Sequence, residues 1–176
     1  MLRTCTFLVL ALLASAAWAQ EPQDALVPLA ALVGQWEGTA VATTPQGRVE
    51  LIQTEDVRLE LGGALIVVEG TGREVGPGGE PGEVVFNAHG VFSVDGATGE
   101  VWLDAFTMEN RHTRVQPTIT EDGFEWELRP ENGPIIHYTM RFDEDGRWVE
   151  TGKVSMDGGS SWIDFFEMTL ARVDAE

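Results

Sequence analysis

Hydrophobic and polar residues alternate along most of the chain after residue 35, which is the pattern of half-buried β-strands. The clearest stretch is 48–61, where the odd positions are apolar except for Gln53 and Glu55 and the even positions are mostly charged. Turn residues such as Gly62 and Gly63 interrupt the alternation at short intervals. This pattern predicts about ten antiparallel strands joined by tight turns.

Consecutive strands joined by hairpins form a meander, which removes its exposed edges by closing into an up-and-down barrel. A β-sandwich with Greek-key crossovers is the competing fold, but it requires a long connection that the pattern lacks. We therefore expect an all-β, up-and-down antiparallel β-barrel of about ten strands with a short N-terminal helix. The predicted strands are 36–43, 48–61, 64–74, 83–94, 100–108, 111–120, 124–129, 135–143, 147–156 and 162–173.

The N-terminus has the three parts of a secretory signal peptide. Arg3 supplies the positive charge, residues 7–14 form an apolar run, and Ala17-Trp18-Ala19 forms an A-x-A-like cleavage site. The run is too short for a membrane anchor, which needs ~20 apolar residues. We expect a signal peptide at 1–19 and export to the periplasm or the exterior. A lead and short helix at 20–34 and a barrel domain at 35–176 should follow.

The overall charge narrows the range of partners. The chain has 29 acidic and 11 basic residues and a net charge of −18. Such a charge repels phosphate backbones and anionic membrane surfaces, so we expect no nucleic-acid partner. We also expect no membrane span, because strand faces such as that of Glu50, Asp56 and Arg58 are too charged to face lipid. The only cysteine, Cys5, lies in the predicted signal peptide, so the mature chain can form no disulfide. A monomer and a homodimer are both compatible with these features.

Four motifs occur in a defined order along the mature chain. They are L-x-x-L-x-G-x-W-x-G at 29–38, E-L-G-G-A-L at 60–65, D-G-x-T-G at 95–99, and S-x-D-G-G-x-S-W with E-M-T-L-A-R between 155 and 172. Their order resembles that of an exported bacterial lipocalin-like (calycin-type) β-barrel family of unknown function. The resemblance covers essentially the whole mature chain, and it implies a lipocalin-like barrel and export without implying catalytic residues.

More distantly, the chain is similar to ten-stranded haem-binding or fatty-acid-binding-like barrels, which share the G-x-W opening. Their haem-binding members use a late-strand histidine on iron. The last predicted strand here, 162–173, contains no histidine. We therefore expect no haem or other cofactor.

A binding role is favoured over catalysis, with a small apolar or amphipathic molecule as the ligand. Gln53 and Glu55 stand in the middle of an apolar strand face, where a polar group needs a partner. They either contact a polar group of a ligand in the lumen or meet an internal partner such as Arg114. The expected ligand-binding residues are Gln53, Glu55, Phe86, Phe92, Leu103, Phe124, Trp126, Tyr138, Met140 and Phe142.

Two alternatives remain open at this stage. The first is an enzyme with a carboxylate–histidine pair in the barrel mouth, for which Glu55, Asp104 and His89 are the candidates. The second is a protein-interaction barrel with a filled core. We assign no catalytic residue, because no nucleophile or phosphate-binding motif occurs. We also expect no metal site, because His89, His112 and His137 lack the spacing of metal ligands.

Overall fold

The computed structural model describes residues 23–131 and 133–173. The predicted signal peptide at 1–19 lies outside the described residues. One antiparallel sheet of eleven strands curls into a half-barrel and follows a single short helix. Within the described part of the chain, no helix combines the length and hydrophobicity needed to cross a membrane.

The chain runs through the sheet as a meander, and almost every strand pairs with its neighbours in sequence. The additional pairing joins β1 to β11 and so brings the two ends of the described chain together. The elements are a 3₁₀-helix (Asp24–Leu32) and the strands β1 (Gly34–Thr44), β2 (Gly47–Glu60), β3 (Leu65–Val75), β4 (Pro81–Val94), β5 (Val101–Thr107), β6 (Arg111–Val115), β7 (Thr118–Ile119), β8 (Gly123–Leu128), β9 (Ile135–Phe142), β10 (Trp148–Ser155) and β11 (Ile163–Arg172).

The prediction of one continuous strand at 111–120 was wrong. This segment is divided into β6 and β7, which are the two edge strands of the sheet, and this division raises the strand number to eleven. Gln116 and Pro117 separate the two pieces. A proline has no N–H for the ladder and restricts the residue before it, so pairing ends there. The bounds of the other predicted strands differ from the observed ones by no more than two residues.

The N-terminal helix covers one end of the half-barrel. Its leucines Leu26, Leu29 and Leu32 are at most 1% exposed and belong to the main core. The helix is of the 3₁₀ type and ends at Leu32, two residues before the predicted end at 34, because Gly34 is already the first residue of β1. The buried leucines are spaced by three residues, which matches the three-residue turn of a 3₁₀-helix.

Arg172, the last residue of β11, ties this helix to the sheet. Its guanidinium donates hydrogen bonds of 2.6 Å to the carbonyl oxygens of Ala31 and Val33. The same group lies 4.2 Å from the centre of the Trp36 ring, and Trp36 Nε1 donates to the Leu32 carbonyl at 2.7 Å. The helix C-terminus, whose carbonyl groups lack partners within the helix, is therefore held from two strands.

Candidate functional site

The strand register places Gln53 and Glu55 on the inner face of β2, between the buried Leu51 and Val57. Their cross-strand neighbours on β3 are Gly72 and Gly70. A Cβ at position 70 would lie 2.7 Å from Glu55 Oε2, and one at position 72 would lie 2.8 Å from Gln53 Oε1. These two glycines therefore provide the space that the two polar side chains occupy inside the sheet.

Gln53 and Glu55 are bonded to each other, because Gln53 Nε2 donates to Glu55 Oε1 at 2.7 Å. Only 3% of Gln53 and 8% of Glu55 are exposed. Burial raises the pKa of Glu55 to about 7, and the hydrogen bond from Gln53 offsets part of the rise. The partner suggested from sequence, Arg114, instead pairs with Asp104 at 3.3 Å.

A second carboxyl group, which the sequence reasoning missed, lies close to Glu55. Glu150 on β10 has Met140 and Met168 as its cross-strand neighbours, and its Oε2 accepts a hydrogen bond from Trp148 Nε1 at 3.3 Å. Burial and the charge of Glu55 raise the pKa of Glu150 to about 8. Trp148 and Glu150 are two residues apart on β10 and therefore share one face of the strand. The tryptophan is a sequence signal that this face is the buried one.

The charge of Glu55 makes ionisation of Glu150 less favourable, because two like charges repel each other. No basic side chain contributes to the pKa of Glu55 or Glu150. Within the described residues, neither group forms a salt bridge, although many carboxylates on the outer face do. The pair is thus an acidic site inside the sheet without a cationic partner.

The contacting rings of Phe124, Trp126, Tyr138 and Phe165, here called the aromatic wall, lie on the same side of the sheet as this acidic pair. Trp126 stacks on Phe124 at 5.2 Å and on Tyr138 at 4.8 Å, and Tyr138 meets Phe165 edge-on at 5.7 Å. Burial, followed by the charge of Glu150, raises the pKa of Tyr138 to about 12, and the charge of Arg111 offsets part of the rise. Tyr138 therefore lies within electrostatic reach of Glu150 and of Arg111.

All the residues predicted from sequence to bind a ligand lie on the inner face of the sheet according to the strand register. They divide into two groups by burial. The first group fills the core, and the second keeps a partly accessible surface. The core group comprises Phe92, Leu103, Phe124 and Met140, and the accessible group comprises Phe86, Trp126, Tyr138 and Phe142.

Glu150 also keeps partial solvent access, although protein atoms surround its carboxyl group. In the following, the lumen is the inner space bordered by Glu55, Glu150, Trp126 and Tyr138. The helix and the large buried side chains fill the opposite end of the half-barrel. The interior therefore has one packed end and one accessible end.

The edge strand β6 lies beside β8 across a seam where the described sheet has no ladder pairing. A cleft of about 460 Å³ opens at this seam. Trp126, which also belongs to the aromatic wall, is one of its lining residues, so the cleft meets the wall at this ring. The cleft is also lined by Arg114, Glu125, Glu127 and His137.

The sheet separates the residues of the enzyme alternative. Glu55 is inside, whereas His89 lies 3.2 Å from Glu69 and Asp104 lies 2.9 Å from His112 among residues of the outer face. These groups therefore do not form one acid–base site. Among the residues that the structure describes, no group of three or more histidine, cysteine or acidic side chains is placed to hold a metal ion.

Comparisons with known proteins support the fold alone. The sequence matches no family model, and it matches no curated protein. The structure is similar to the crystal structure of Rv2717c from M. tuberculosis, with a TM-score of 0.63 and 18% sequence identity. The match covers 88% of this chain and 100% of that chain. The curled antiparallel sheet is thus shared with a solved protein, and the lipocalin-like family resemblance stays a prediction.

Proposed function

We propose that this chain is an exported lipocalin-like protein that binds a small amphipathic molecule in its lumen. The observation that carries the proposal is the polar pair of Glu55 and Glu150 at the base of an accessible aromatic wall. Ligand pockets in proteins typically combine apolar walls with a few converging polar groups, which is the composition of this lumen.

The division of the interior into two ends also supports binding. A protein whose barrel served only as a scaffold would gain stability from filling its interior with apolar side chains. Here the space beside Gly70 and Gly72 is filled by the polar side chains of Glu55 and Gln53, and two carboxyl groups lie on the inner face at a cost in stability. Such a cost is expected where the interior serves recognition.

The proposal is tested by thermal unfolding of the mature chain, residues 20–176, with laurate, retinol, haem and 4-phenylbutanol as probes. A ligand that binds only the folded state at a hundred times its Kd stabilises the protein by about 2.7 kcal/mol. For a domain of this size, that stabilisation raises the Tm by roughly 5–10 °C. We expect a rise of this order with at least one amphipathic probe.

A matched pair of tryptophan variants locates the site. Trp126→Ala removes the centre of the aromatic wall and should weaken binding of the active probe about tenfold or more. Trp162→Ala removes a tryptophan that precedes β11 and meets His137 at 6.1 Å, so it should leave binding unchanged. Absence of a shift with every probe, or equal losses in both variants, would instead favour an interaction barrel without a lumen ligand.

A further inference from the structure

We infer that the ligand of the lumen carries a protonated amine on an apolar body, and that Glu55 and Glu150 together bind the ammonium group. This inference rests on the proposed function, because it assigns the chemistry of a ligand in the same lumen. It adds Glu150 to the ligand-binding residues and makes the acidic pair the determinant of selectivity.

The free hydrogen-bond acceptors of the site match an ammonium group. No donor among the described residues reaches Glu55 Oε2 or Gln53 Oε1. Both residues are more than nine-tenths buried, but none of the fully buried polar atoms in the described part of the chain lacks a partner, so these two oxygens keep access to solvent. No donor among the described residues reaches Glu150 Oε1 either, since Trp148 donates to the other oxygen. An ammonium group has three N–H donors and no acceptor. Three unused acceptors in one acidic site thus call for a donor-rich ligand.

The electrostatics of the lumen favour a cation over a neutral or anionic head group. Two carboxyl groups in contact with protein atoms and without a basic partner are destabilised when ionised, and a bound cation removes this penalty. A carboxylate ligand would add a third negative charge, so fatty acids should be poor ligands for this pair.

An organic cation fits the site better than a metal ion does. Calcium takes six to eight oxygen ligands, but this site offers two carboxyl groups and one amide oxygen. The remaining walls are apolar and aromatic, which suits the body of an amphipathic amine. Sites that recognise organic cations commonly combine carboxylates with aromatic rings in this way.

The binding should depend on pH, because the pair must lose protons to attract the ammonium group. Burial raises the pKa values to about 7 for Glu55 and about 8 for Glu150, so amine affinity should rise as the pH increases through this range. Other ionisable residues lie on the inner face of the described sheet according to the strand register. They are Tyr138 on β9, Glu74 and Arg111 at strand ends, and Arg172 beside the C-terminus of the helix. None of them has an ordinary pKa in that range.

The experiment compares three probes with one body and three head groups: 4-phenylbutylamine, 4-phenylbutanol and 4-phenylbutyrate. Titration calorimetry at pH 8 on the mature chain should give an affinity for the amine about tenfold or more above that for the alcohol, and the weakest affinity for the acid. Amine binding should also release protons, measured by repeating the titration in buffers of different ionisation enthalpy.

Glu55→Gln and Glu150→Gln should each weaken amine binding about tenfold and weaken alcohol binding by a much smaller factor, because the alcohol carries no charge. Glu50→Gln is the matched control, because Glu50 lies on the same strand as Glu55 but pairs with Arg48 in solvent. Equal affinities for amine and alcohol would overturn the inference and leave the proposed function standing. Loss of all lumen binding, including the probes of the unfolding screen, would overturn both. The head-group comparison decides the question even where a variant fails to fold.

Discussion

Replacing Glu55 with glutamine should remove much of a pH-dependent loss of stability that the native chain shows between about pH 5 and pH 8. Burial raises the pKa of Glu55 from 4.5 to about 7. Because the folded-state pKa lies above that of the unfolded chain, the stabilising contribution is fully present below about pH 4.5. It is lost as the pH rises through about 7, since the folded state must then lose a proton from a buried group.

The magnitude follows from the size of the pKa change. A rise from 4.5 to about 7 corresponds to ~3 kcal/mol of unfolding free energy lost across this range. Glutamine at position 55 carries no charge and can still accept the hydrogen bond from Gln53. It should therefore be more stable than the native residue at pH 8 by up to ~3 kcal/mol and nearly equal to it at pH 5.

The assay is urea denaturation followed by tryptophan fluorescence at pH 5, 6, 7 and 8. The native chain should lose stability steadily with rising pH, and Glu55→Gln should show a shallower loss. Part of the pH dependence of the unfolding free energy should persist in Glu55→Gln, because Glu150 also has a raised pKa. The double variant Glu55→Gln/Glu150→Gln should lose most of this remaining dependence. Urea is suitable because it is uncharged and leaves the electrostatic terms intact.

Glu50→Gln serves as the control, since it changes the net charge equally on the outer face of the same strand. Its pH profile should run parallel to that of the native chain. The reasoning would be refuted if Glu55→Gln also ran parallel, because the Glu55 carboxyl group would then titrate as it does in water. A lower stability of Glu55→Gln at pH 8 would likewise contradict it, since it would mean that the ionised form stabilises the fold.

Three further predictions concern stability. Gly38→Ala should lower the unfolding free energy in urea by ~1–3 kcal/mol, because its Cβ would overlap the backbone of β11, whereas Gly96→Ala faces open space and should change it little. Arg172→Ala should cost ~2 kcal/mol in the same assay and speed proteolysis within 24–32, since the helix loses both its hydrogen bonds to this residue. Asp157→Ala should lower the Tm at pH 7 but not at pH 2. Hydrogen bonds in its loop lower the Asp157 pKa to about 2, so its contribution is present above pH 3.8 and lost below pH 2.

The fold was largely predictable from the sequence because most strands have a local alternation of apolar and polar residues. Alternation over 48–61 identifies a half-buried strand without reference to any other part of the chain, and the glycine turns mark where each strand ends. Errors arose where local patterns were ambiguous. Residues typical of β-strands flank Pro117 on both sides, so the sequence pattern predicted one strand where the structure has two.

The site was only half predictable for a related reason. Gln53 and Glu55 were identified because two polar residues interrupt an otherwise apolar face of a long strand. Glu150 was missed because β10 is short and Trp148 is the main sequence signal for the inner face that it shares with Glu150 and Gly152, a far weaker signal than the long alternation around Gln53 and Glu55. Its proximity to Glu55 depends on the β1–β11 pairing between strands distant in sequence, which alternation does not encode.

The two ends of the interior explain how the chain tolerates a pair of acids in its sheet. The 3₁₀-helix, Trp36 and the large side chains around them are almost fully buried, and they provide the apolar burial that stabilises a domain without disulfides. Glu55 and Glu150 lie where this packing gives way to accessible space. Protonation of the two carboxyl groups keeps the apo protein stable at low pH, and in the proposed amine complex a bound cation would replace protons at high pH. The proposal thus links stability to binding, so the variant that gains stability at pH 8 should be the one that loses affinity for an amine.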